Sequence, residues 1–419
     1  MNAQIEKEMS EASLMENANK AINVIIRPPR TIYQLQDLTN IIFDSKMPSI
    51  PRIPISFKNR RGVNLVGSFY ISGQFNTEEK HYCVVYLHGN VGSQKEGRFL
   101  VKYLAPRGIC VYCFDFSGSG LSGGEYVTLG FNEQTDIIDS LDFLRNHFHV
   151  AAFVLWGRSM GAASAVMAAP NHPLIKGIIV DSAYSSLSKL FSSIATQTPL
   201  PSFIRPMAVW WIKHEVQSRA GFDCNDVSPI DIAPKCTNVP LMLGHCTDDD
   251  FVPYKHGLAI FQKYGCPDKE MMTMTGGHNG ARDPGWIMKC VRFILRVFGL
   301  PFQYFEVEFT PETAEHVASF ADLLAAEGKT VSAFSNLKQK YLPLNPSQSQ
   351  KVEPKPQTSA DESSQSQSEQ EIPLKAEKQS SDQLMDNQIE SSQEENDQTE
   401  HHQEEQHMLE KVQVQSDQQ

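Results

Sequence analysis

Short apolar runs alternate with longer amphipathic stretches through residues 80–300 of the chain. The apolar runs lie at 82–87, 109–114, 151–156, 175–181, 239–244 and 270–274. Between them, stretches such as 132–147 place apolar residues three or four positions apart, as an amphipathic helix requires. Strands that alternate with helices in this way predict a mostly parallel central sheet with helices on both faces. The expected fold class is therefore α/β.

Two further strands are expected before the alternation begins, at 54–57 and 63–72, joined by a hairpin-like turn at 59–62. Residues two apart in a strand share a face of the sheet. In the second strand, the set that contains Leu65 and Phe69 is more apolar than the set between them, so we expect it to face the core.

The composition changes along the chain and predicts four regions. A flexible arm (1–22) precedes a folded domain (23–300), which is followed by an appended helical segment (301–345) and a disordered tail (346–419). Within the domain, residues 182–236 are longer than one crossover helix requires, and we expect this insertion to form a small helical cap over the site.

The predicted tail carries the net charge of the whole protein. Residues 346–419 contain no Phe, Trp or Tyr, and their 17 Asp and Glu against 5 Lys and Arg give the same net charge of −12 as the entire chain. Such a segment cannot bury enough apolar surface to offset its conformational entropy, so we expect it to be disordered. The tail favours solubility or the docking of a protein partner, and the absence of basic clusters argues against nucleic acid.

The chain also lacks the usual signals for secretion or membrane insertion. No apolar run follows the start of the chain, and no stretch reaches the roughly 18 apolar residues of a membrane span. The eight cysteines are scattered, and we interpret them as free, mostly buried thiols in a reducing compartment. Cys110 and Cys113 lie three apart in a predicted strand, so they should point to opposite faces. We therefore expect a cytoplasmic protein whose membrane contact, if any, is peripheral.

The strongest chemical signal is Gly157-Arg158-Ser159-Met160-Gly161, between a predicted strand and a helix of small residues. A serine on a sharp turn between strand and helix projects its hydroxyl from the sheet edge, and the flanking glycines allow strand and helix to approach closely. We predict that Ser159 is a nucleophile.

A serine hydroxyl needs a base, because it is a weak nucleophile by itself. His278 follows the last predicted strand on the short loop Gly276-Gly277-His278, and imidazole accepts a proton near neutral pH. We predict that His278 is the base, and that His88, His245 and His256 are structural.

The acid that orients the base is expected among three adjacent carboxylates, Asp248, Asp249 and Asp250, which follow the preceding strand. Asp249 is our choice, because its spacing to Val252-Pro253 resembles the Asp-x-x-Val-Pro motif of the α/β-hydrolase superfamily. Asp248 and Asp250 remain alternatives, with Asp181 as an outside candidate. We expect the surplus carboxylates to cap the loop.

Two backbone N–H groups are expected to bind the developing oxyanion. One belongs to Met160, which directly follows the nucleophile at the helix N-terminus. The other is assigned to Asn90 in the loop His88-Gly89-Asn90, with Val91 as the alternative. Backbone donors leave no side-chain signature in a sequence.

The ordered motifs resemble the α/β-hydrolase superfamily over about residues 50–300. They are His88-Gly89-Asn90, Asp115 to Ser122, Gly157 to Gly161, Asp249 to Pro253 and Gly277-His278-Asn279. The chain is most similar to the serine-aminopeptidase-like and α/β-hydrolase-domain proteins, which include monoglyceride lipases, protein depalmitoylases and uncharacterised plant and protist members. The resemblance implies an α/β-hydrolase fold and a Ser-acid-His triad, but it does not select a substrate, because this fold hosts many acyl substrates.

Together these features predict a serine hydrolase that cleaves an acyl ester or thioester of a small-molecule or lipid-like substrate through an acyl-enzyme. No cofactor and no metal are expected. Two alternatives remain open: an amide hydrolase similar to serine aminopeptidases, and a catalytically idle scaffold that acts through its acidic tail.

Overall fold

The computed structural model describes residues 19–38, 50–72 and 80–302. Its central feature is an eight-stranded sheet in the order β1-β2-β4-β3-β5-β6-β7-β8. The strands are β1 (Arg52–Lys58), β2 (Asn64–Tyr70), β3 (His81–Leu87), β4 (Ile109–Asp115), β5 (Val150–Arg158), β6 (Ile175–Asp181), β7 (Leu241–Cys246) and β8 (Lys269–Met274). Pairs from β4 to β8 are parallel, whereas β2 is antiparallel to both β1 and β4.

The helices connect these strands and cover both faces of the sheet. Residues 19–26 form α1. The others are α2 (Val101–Leu104), α3 (Glu133–Phe148), α4 (Met160–Ala168), α5 (Leu187–Gln197), α6 (Arg205–Ala220), α7 (Pro229–Ile232), α8 (Lys255–Lys263) and α9 (Pro284–Phe298). Short 3-10 turns at 35–37, 96–100, 105–107, 169–171, 224–226 and 233–235 complete the connections. The expected mostly parallel α/β sheet is confirmed.

Two apolar clusters lie on opposite sides of the sheet. Cys110 belongs to one cluster with Leu155 and Val166, and Cys113 belongs to the other with Trp156. The prediction that the two cysteines point to opposite faces is therefore confirmed. All eight cysteines of the chain are free and buried.

The first hairpin differs from the expectation in one respect. β1 and β2 pair as predicted, and Leu65 and Phe69 face the larger core cluster. However, Ser68 and Tyr70 on the other face are also fully buried. The hydroxyl of Ser68 donates to Gln94 at 2.6 Å, and Tyr70 packs in the second cluster. Apolar and polar residues alternate imperfectly along β2 because both faces of this strand are covered.

The segment before the first strand packs into the domain. The sequence suggested an extended stretch at 24–33, but α1 continues to residue 26, and Ile22 and Ile26 are completely buried. The helix ends before Pro28-Pro29, where proline disfavours a helix. At least residues 19–22 of the predicted flexible arm are thus helical.

The glycine-rich loop after β4 is organised around a buried carboxylate. Asp115 is fully buried and accepts hydrogen bonds from the backbone N–H groups of Gln94 (2.7 Å) and Leu121 (2.9 Å) and from the hydroxyl of Tyr33. Gly120 adopts φ +43° directly against this carboxylate, where a side chain would overlap it. The loop is therefore a set of tight turns.

The insertion at 182–236 contains helices α5, α6 and α7. Helix α6 buries Val216 and leaves Met207 and Trp210 63% and 65% exposed. Within the described ranges, no helix has the length and apolar character needed to cross a membrane. The predicted helical segment 301–345, apart from its first two residues, and the predicted tail 346–419 lie outside the described residues.

Candidate active site

Ser159 occupies a strained turn between β5 and α4. Its backbone has φ 50° and ψ −113°, a region that L-residues rarely adopt, and its N–H donates to the carbonyl oxygen of Asp181 at 2.8 Å. The turn is tight because a side chain at Gly157 would overlap the backbone of Gly161, and one at Gly161 would overlap the backbone of Leu87. The two glycines are therefore required by close approach.

A continuous hydrogen-bonded path joins the three predicted residues. The Nε2 atom of His278 lies 3.0 Å from the hydroxyl oxygen of Ser159, within the range for proton transfer. The Nδ1 atom of the same ring lies 2.9 Å and 3.1 Å from the two carboxylate oxygens of Asp249. His278 and Asp249 are each 6% exposed, so water has little access to the path.

The environment of Asp249 favours its charged form. Burial raises the pKa of this carboxyl, but the hydrogen bond and the charge of His278 oppose it, as does the N–H of Val252 at 2.7 Å. The net result is a pKa below the ordinary value. A carboxylate in this position favours the His278 tautomer whose Nδ1 is protonated, leaving Nε2 free to accept a proton.

The two neighbouring carboxylates bind backbone instead of imidazole. Asp250 accepts the N–H of His278 at 3.0 Å, and Asp248 accepts the N–H of Gly276 at 2.8 Å. Both hold the loop that carries His278, in keeping with the expectation that the surplus acids cap a loop. The fourth candidate, Asp181, makes an ion pair with Arg282 instead.

His88 and His245, two of the three histidines expected to be structural, support the loops around the site. His88 is buried, accepts the N–H of Phe116 at its Nε2 (3.1 Å) and has its Nδ1 2.7 Å from the carbonyl of Gly89. His245 has its Nε2 2.7 Å from the carbonyl of Val252 and 3.6 Å from Asp249, and burial lowers its pKa. These contacts match the structural roles expected of them.

The predicted oxyanion donors belong to two elements that approach Ser159. Met160 is the first residue of α4, so its N–H points out of the helix N-terminus. The loop after β3 also lies close to Ser159, because a Cβ built on Gly89 would lie 3.9 Å from that of Ser159. The side-chain amide of Asn90 donates to the carbonyl of Ile25 at 3.3 Å, which ties this loop to α1.

Comparisons with known proteins agree with this architecture. A sequence model of the alpha/beta hydrolase fold matches residues 82–220. The chain has an α/β-hydrolase fold. It is 25% identical over 226 residues to the uncharacterized protein YfhR of Escherichia coli strain K12, a match that covers 54% of this chain and 72% of that protein.

Two further proteins are similar to this chain, one in sequence and one in structure. Human alpha/beta hydrolase domain-containing protein 17B is 24% identical over 202 residues, which cover 47% of this chain and 60% of that protein. The structure of the esterase Pf2001 from Pyrococcus furiosus superimposes with a TM-score of 0.51 and 20% identity, and the match covers 66% of this chain and 98% of the esterase. At this identity the likeness shows the shared fold.

The structure also shows contacts of two arginines with the His278 loop that the sequence did not indicate. The guanidinium of Arg282 donates to the carbonyl oxygen of His278 (3.0 Å) and to the carboxylate of Asp181 (2.9 and 3.0 Å). Arg158, inside the Gly-x-Ser-x-Gly motif, also donates to the carbonyl of His278, at 3.2 Å. No local motif marks Arg282, and its position four residues after His278 was the one available signal.

A separate cavity lies away from this site, within the described residues. It has a volume of about 560 Å³ and lies between the segment 23–30 and the glycine-rich loop, and its lining includes none of Ser159, Asp249 and His278. Its two guanidinium groups are engaged, Arg27 with Glu125 and Arg30 with backbone carbonyls. Within the described part of the chain, no group of three or more His, Cys, Asp or Glu could hold a metal ion.

Proposed function

We propose that this protein is a serine hydrolase that cleaves an acyl ester or thioester through Ser159, His278 and Asp249. The observation that carries the proposal is the hydrogen-bonded path from Asp249 through His278 to the hydroxyl of Ser159. The same path on a nucleophile held in a strained strand-to-helix turn is suited to acyl transfer. The fold shared with an esterase of Pyrococcus furiosus is consistent with the proposal.

In the first half of the reaction, the Oγ atom of Ser159 bonds to the acyl carbon while its proton passes to Nε2 of His278. The charge of Asp249 stabilises the resulting imidazolium. The N–H groups of Met160 and Asn90 receive the oxyanion of the tetrahedral intermediate. The intermediate collapses as the bond to the leaving alkoxide or thiolate breaks, and His278 returns its proton to that group.

In the second half, water attacks the acyl-enzyme and gives its proton to His278. The bond between the acyl carbon and Oγ then breaks, Oγ recovers the proton, and a carboxylic acid leaves. These reaction steps use only the side chains and backbone of the chain together with water.

Exposed apolar side chains, one of them beside His278, support a small-molecule or lipid-like acyl substrate. The ring of Phe251 lies 5.2 Å from that of His278, centroid to centroid, and is 47% exposed. On the insertion, Phe203, Met207 and Trp210 are also exposed. Peripheral membrane contact and a protein partner for the acidic tail remain predictions from the sequence.

Labelling with a fluorophosphonate probe tests the proposal. The wild-type protein should label at one site, and both Ser159→Ala and His278→Ala should lose labelling while they keep the wild-type melting temperature within a few degrees. Ser192→Ala, which removes an exposed hydroxyl on α5, serves as the matched control and should label like the wild type.

A panel of acyl chain lengths on ester, thioester and amide leaving groups then selects the substrate class. Faster turnover of amides than of esters would favour the aminopeptidase-like alternative. A folded wild-type protein that neither labels nor turns over any member of the panel would refute the proposed function and leave the idle scaffold.

A further inference from the structure

One arginine connects the loop of His278 to the end of β6, which lies two strands away from β8 in the sheet. Arg282 places its Nε atom 2.9 and 3.0 Å from the carboxylate oxygens of Asp181, at the end of β6. Its Nη1 donates to the carbonyl of Gly280 at 2.9 Å, and its Nη2 to the carbonyl of His278 at 3.0 Å. The two charged side chains are 4% and 9% exposed, so the pair is nearly sealed from water.

The nucleophile is held by the same residue of β6. The carbonyl oxygen of Asp181 accepts the N–H of Ser159 at 2.8 Å, and Arg158 pairs with Asp181 in the sheet register. Asp181 therefore holds Ser159 through its backbone and His278 through its side chain and Arg282. These two connections join loops that are about 120 residues apart in the chain.

We propose that Asp181 and Arg282 form a positioning pair that sets the distance between the hydroxyl of Ser159 and Nε2 of His278. This inference rests on the proposed serine-hydrolase function. Neither residue has a contact with the reacting atoms, so both act through the backbone that carries the nucleophile and the base. The pair fixes a separation of 3.0 Å, which lies inside the narrow range for proton transfer.

Only an arginine satisfies the geometry. Its planar fork donates in three directions at once, to a carboxylate on one side and to two carbonyls of the His278 loop on the other. Burial lowers the pKa of Arg282, but the charge and hydrogen bonds of Asp181 more than offset this, so the guanidinium stays charged. A lysine has the charge but not the fork.

The charges facing His278 make the pair visible in a pH profile. The polar or ionisable groups that surround this histidine are Ser159, Asp249, Asp250, His245, Arg158 and Arg282. In Arg282→Met the carboxylate of Asp181 is left without its cation, which favours the imidazolium and moves the acidic limb of kcat/KM to higher pH. In Asp181→Asn the guanidinium is left without its anion, and the same limb moves to lower pH.

The experiment compares kcat, KM and the pH profile of an activated ester for the full-length wild type, Arg282→Met, Arg282→Lys and Asp181→Asn. Because a misplacement of about 1 Å can cost about a hundredfold in rate, we expect kcat to fall by about 10- to 100-fold in Arg282→Met, with KM within about twofold. Arg282→Lys should lose less.

Arg61→Met is the matched control. It also removes a guanidinium from a buried carboxylate, since Arg61 lies 2.7 Å from the fully buried Asp136, but it is outside the site. We expect this variant to lose stability and to keep the kcat and pH profile of the wild type per folded molecule.

The outcomes separate this inference from the proposed function. A wild-type rate and an unshifted acidic limb in Arg282→Met would overturn the positioning pair while the serine hydrolase stands. If Arg282→Met does not fold, Arg282→Lys decides, and a wild-type kcat in that variant also overturns the inference. An inactive, unlabelled wild-type protein would overturn the proposed function first, and the inference with it.

Discussion

Replacing Gly161 by alanine tests the close approach on which the candidate site depends. Gly161 is the second residue of α4, and a Cβ built there would lie 2.5 Å from the carbonyl carbon of Leu87 and 2.7 Å from the carbonyl oxygen of His88. Both are backbone atoms, so no rotation of a side chain relieves the overlap. The helix must instead move away from the loop that carries Asn90.

The size of the effect follows from two opposed contributions. Overpacking of a dense interior costs about 1–3 kcal/mol, and a rigid backbone neighbour places this site near about 3 kcal/mol. Replacing glycine by alanine within a helix would by itself stabilise the protein by about 1 kcal/mol. The net loss of about 2 kcal/mol should lower the melting temperature by about 4–8 °C for a domain of this size.

Gly285→Ala is the matched control, because Gly285 is the second residue of α9. The nearest atom to its added Cβ is a carboxylate oxygen of Asp283 at 2.6 Å, on a side chain that can turn away. Turning it away breaks its capping hydrogen bond with the N–H of Gly285, which costs about 1 kcal/mol, and the gain of about 1 kcal/mol from alanine in a helix offsets this loss. Its free energy of unfolding should stay within about 0.5 kcal/mol of the wild type.

The assay is thermal unfolding followed by circular dichroism, with ester hydrolysis measured on the folded protein at 25 °C. Gly161→Ala should melt lower and hydrolyse more slowly, because the N–H groups of Met160 and Asn90 are moved apart. A melting temperature for Gly161→Ala at or above that of the wild type would refute the close approach of α4 to the end of β3.

Three further predictions concern charge and buried hydrogen bonds. Asp249→Asn should lower kcat by about 10⁴-fold while the protein stays folded. Asp248→Asn should change kcat far less in the same ester assay, because its carboxylate binds a backbone N–H. Equal effects of the two substitutions would contradict the distinct contacts of the two carboxyls. Burial lowers the pKa of His256 from its ordinary 6.5 to about 4. Between these two pH values the unfolded chain therefore binds more protons than the folded protein does. The stability that the neutral ring contributes is complete above about pH 6.5 and decreases as the pH falls towards 4. Urea unfolding at pH 7 and pH 5 should therefore show a smaller difference for His256→Gln than for the wild type, and an equal difference would exclude this cause. Tyr33→Phe removes a hydroxyl that donates to the buried carboxylate of Asp115 and should cost about 1–3 kcal/mol in urea unfolding, whereas Tyr254→Phe, which alters an exposed hydroxyl, should cost less than about 0.5 kcal/mol; similar losses in both would argue against the buried bond.

Several features of the site followed from the sequence because each has a local physical cause. A serine flanked by glycines between an apolar run and a helix of small residues indicated the strained turn, which the structure has at Ser159 with φ 50°. Serine, acid and histidine each follow a parallel strand, which indicated that they would meet at one sheet edge, and the structure brings Ser159, Asp249 and His278 within hydrogen-bond distance.

Other features were beyond the sequence because they depend on residues distant along the chain. The hairpin strand β2 was expected to have one covered face, yet Gln94 and residues of the second cluster cover the other. The segment at 24–33 was expected to be extended, but α1 continues to residue 26, because the helix buries Ile22 and Ile26 in the core. Propensity is a weak guide when burial of this kind is available.

The sequence by itself determined the fold class and the residue types available for chemistry, since both depend on the spacing of apolar positions and on glycines required by local backbone geometry. Only the tertiary structure decided which of three adjacent carboxylates lies beside the ring of His278, and it alone revealed the link from Asp181 through Arg282 to the histidine loop. Adjacent aspartates have the same side chain and nearly the same position in the sequence. They differ only in the direction that each side chain takes in the folded loop. Backbone carbonyls, which Arg282 binds, have no side-chain signature at all.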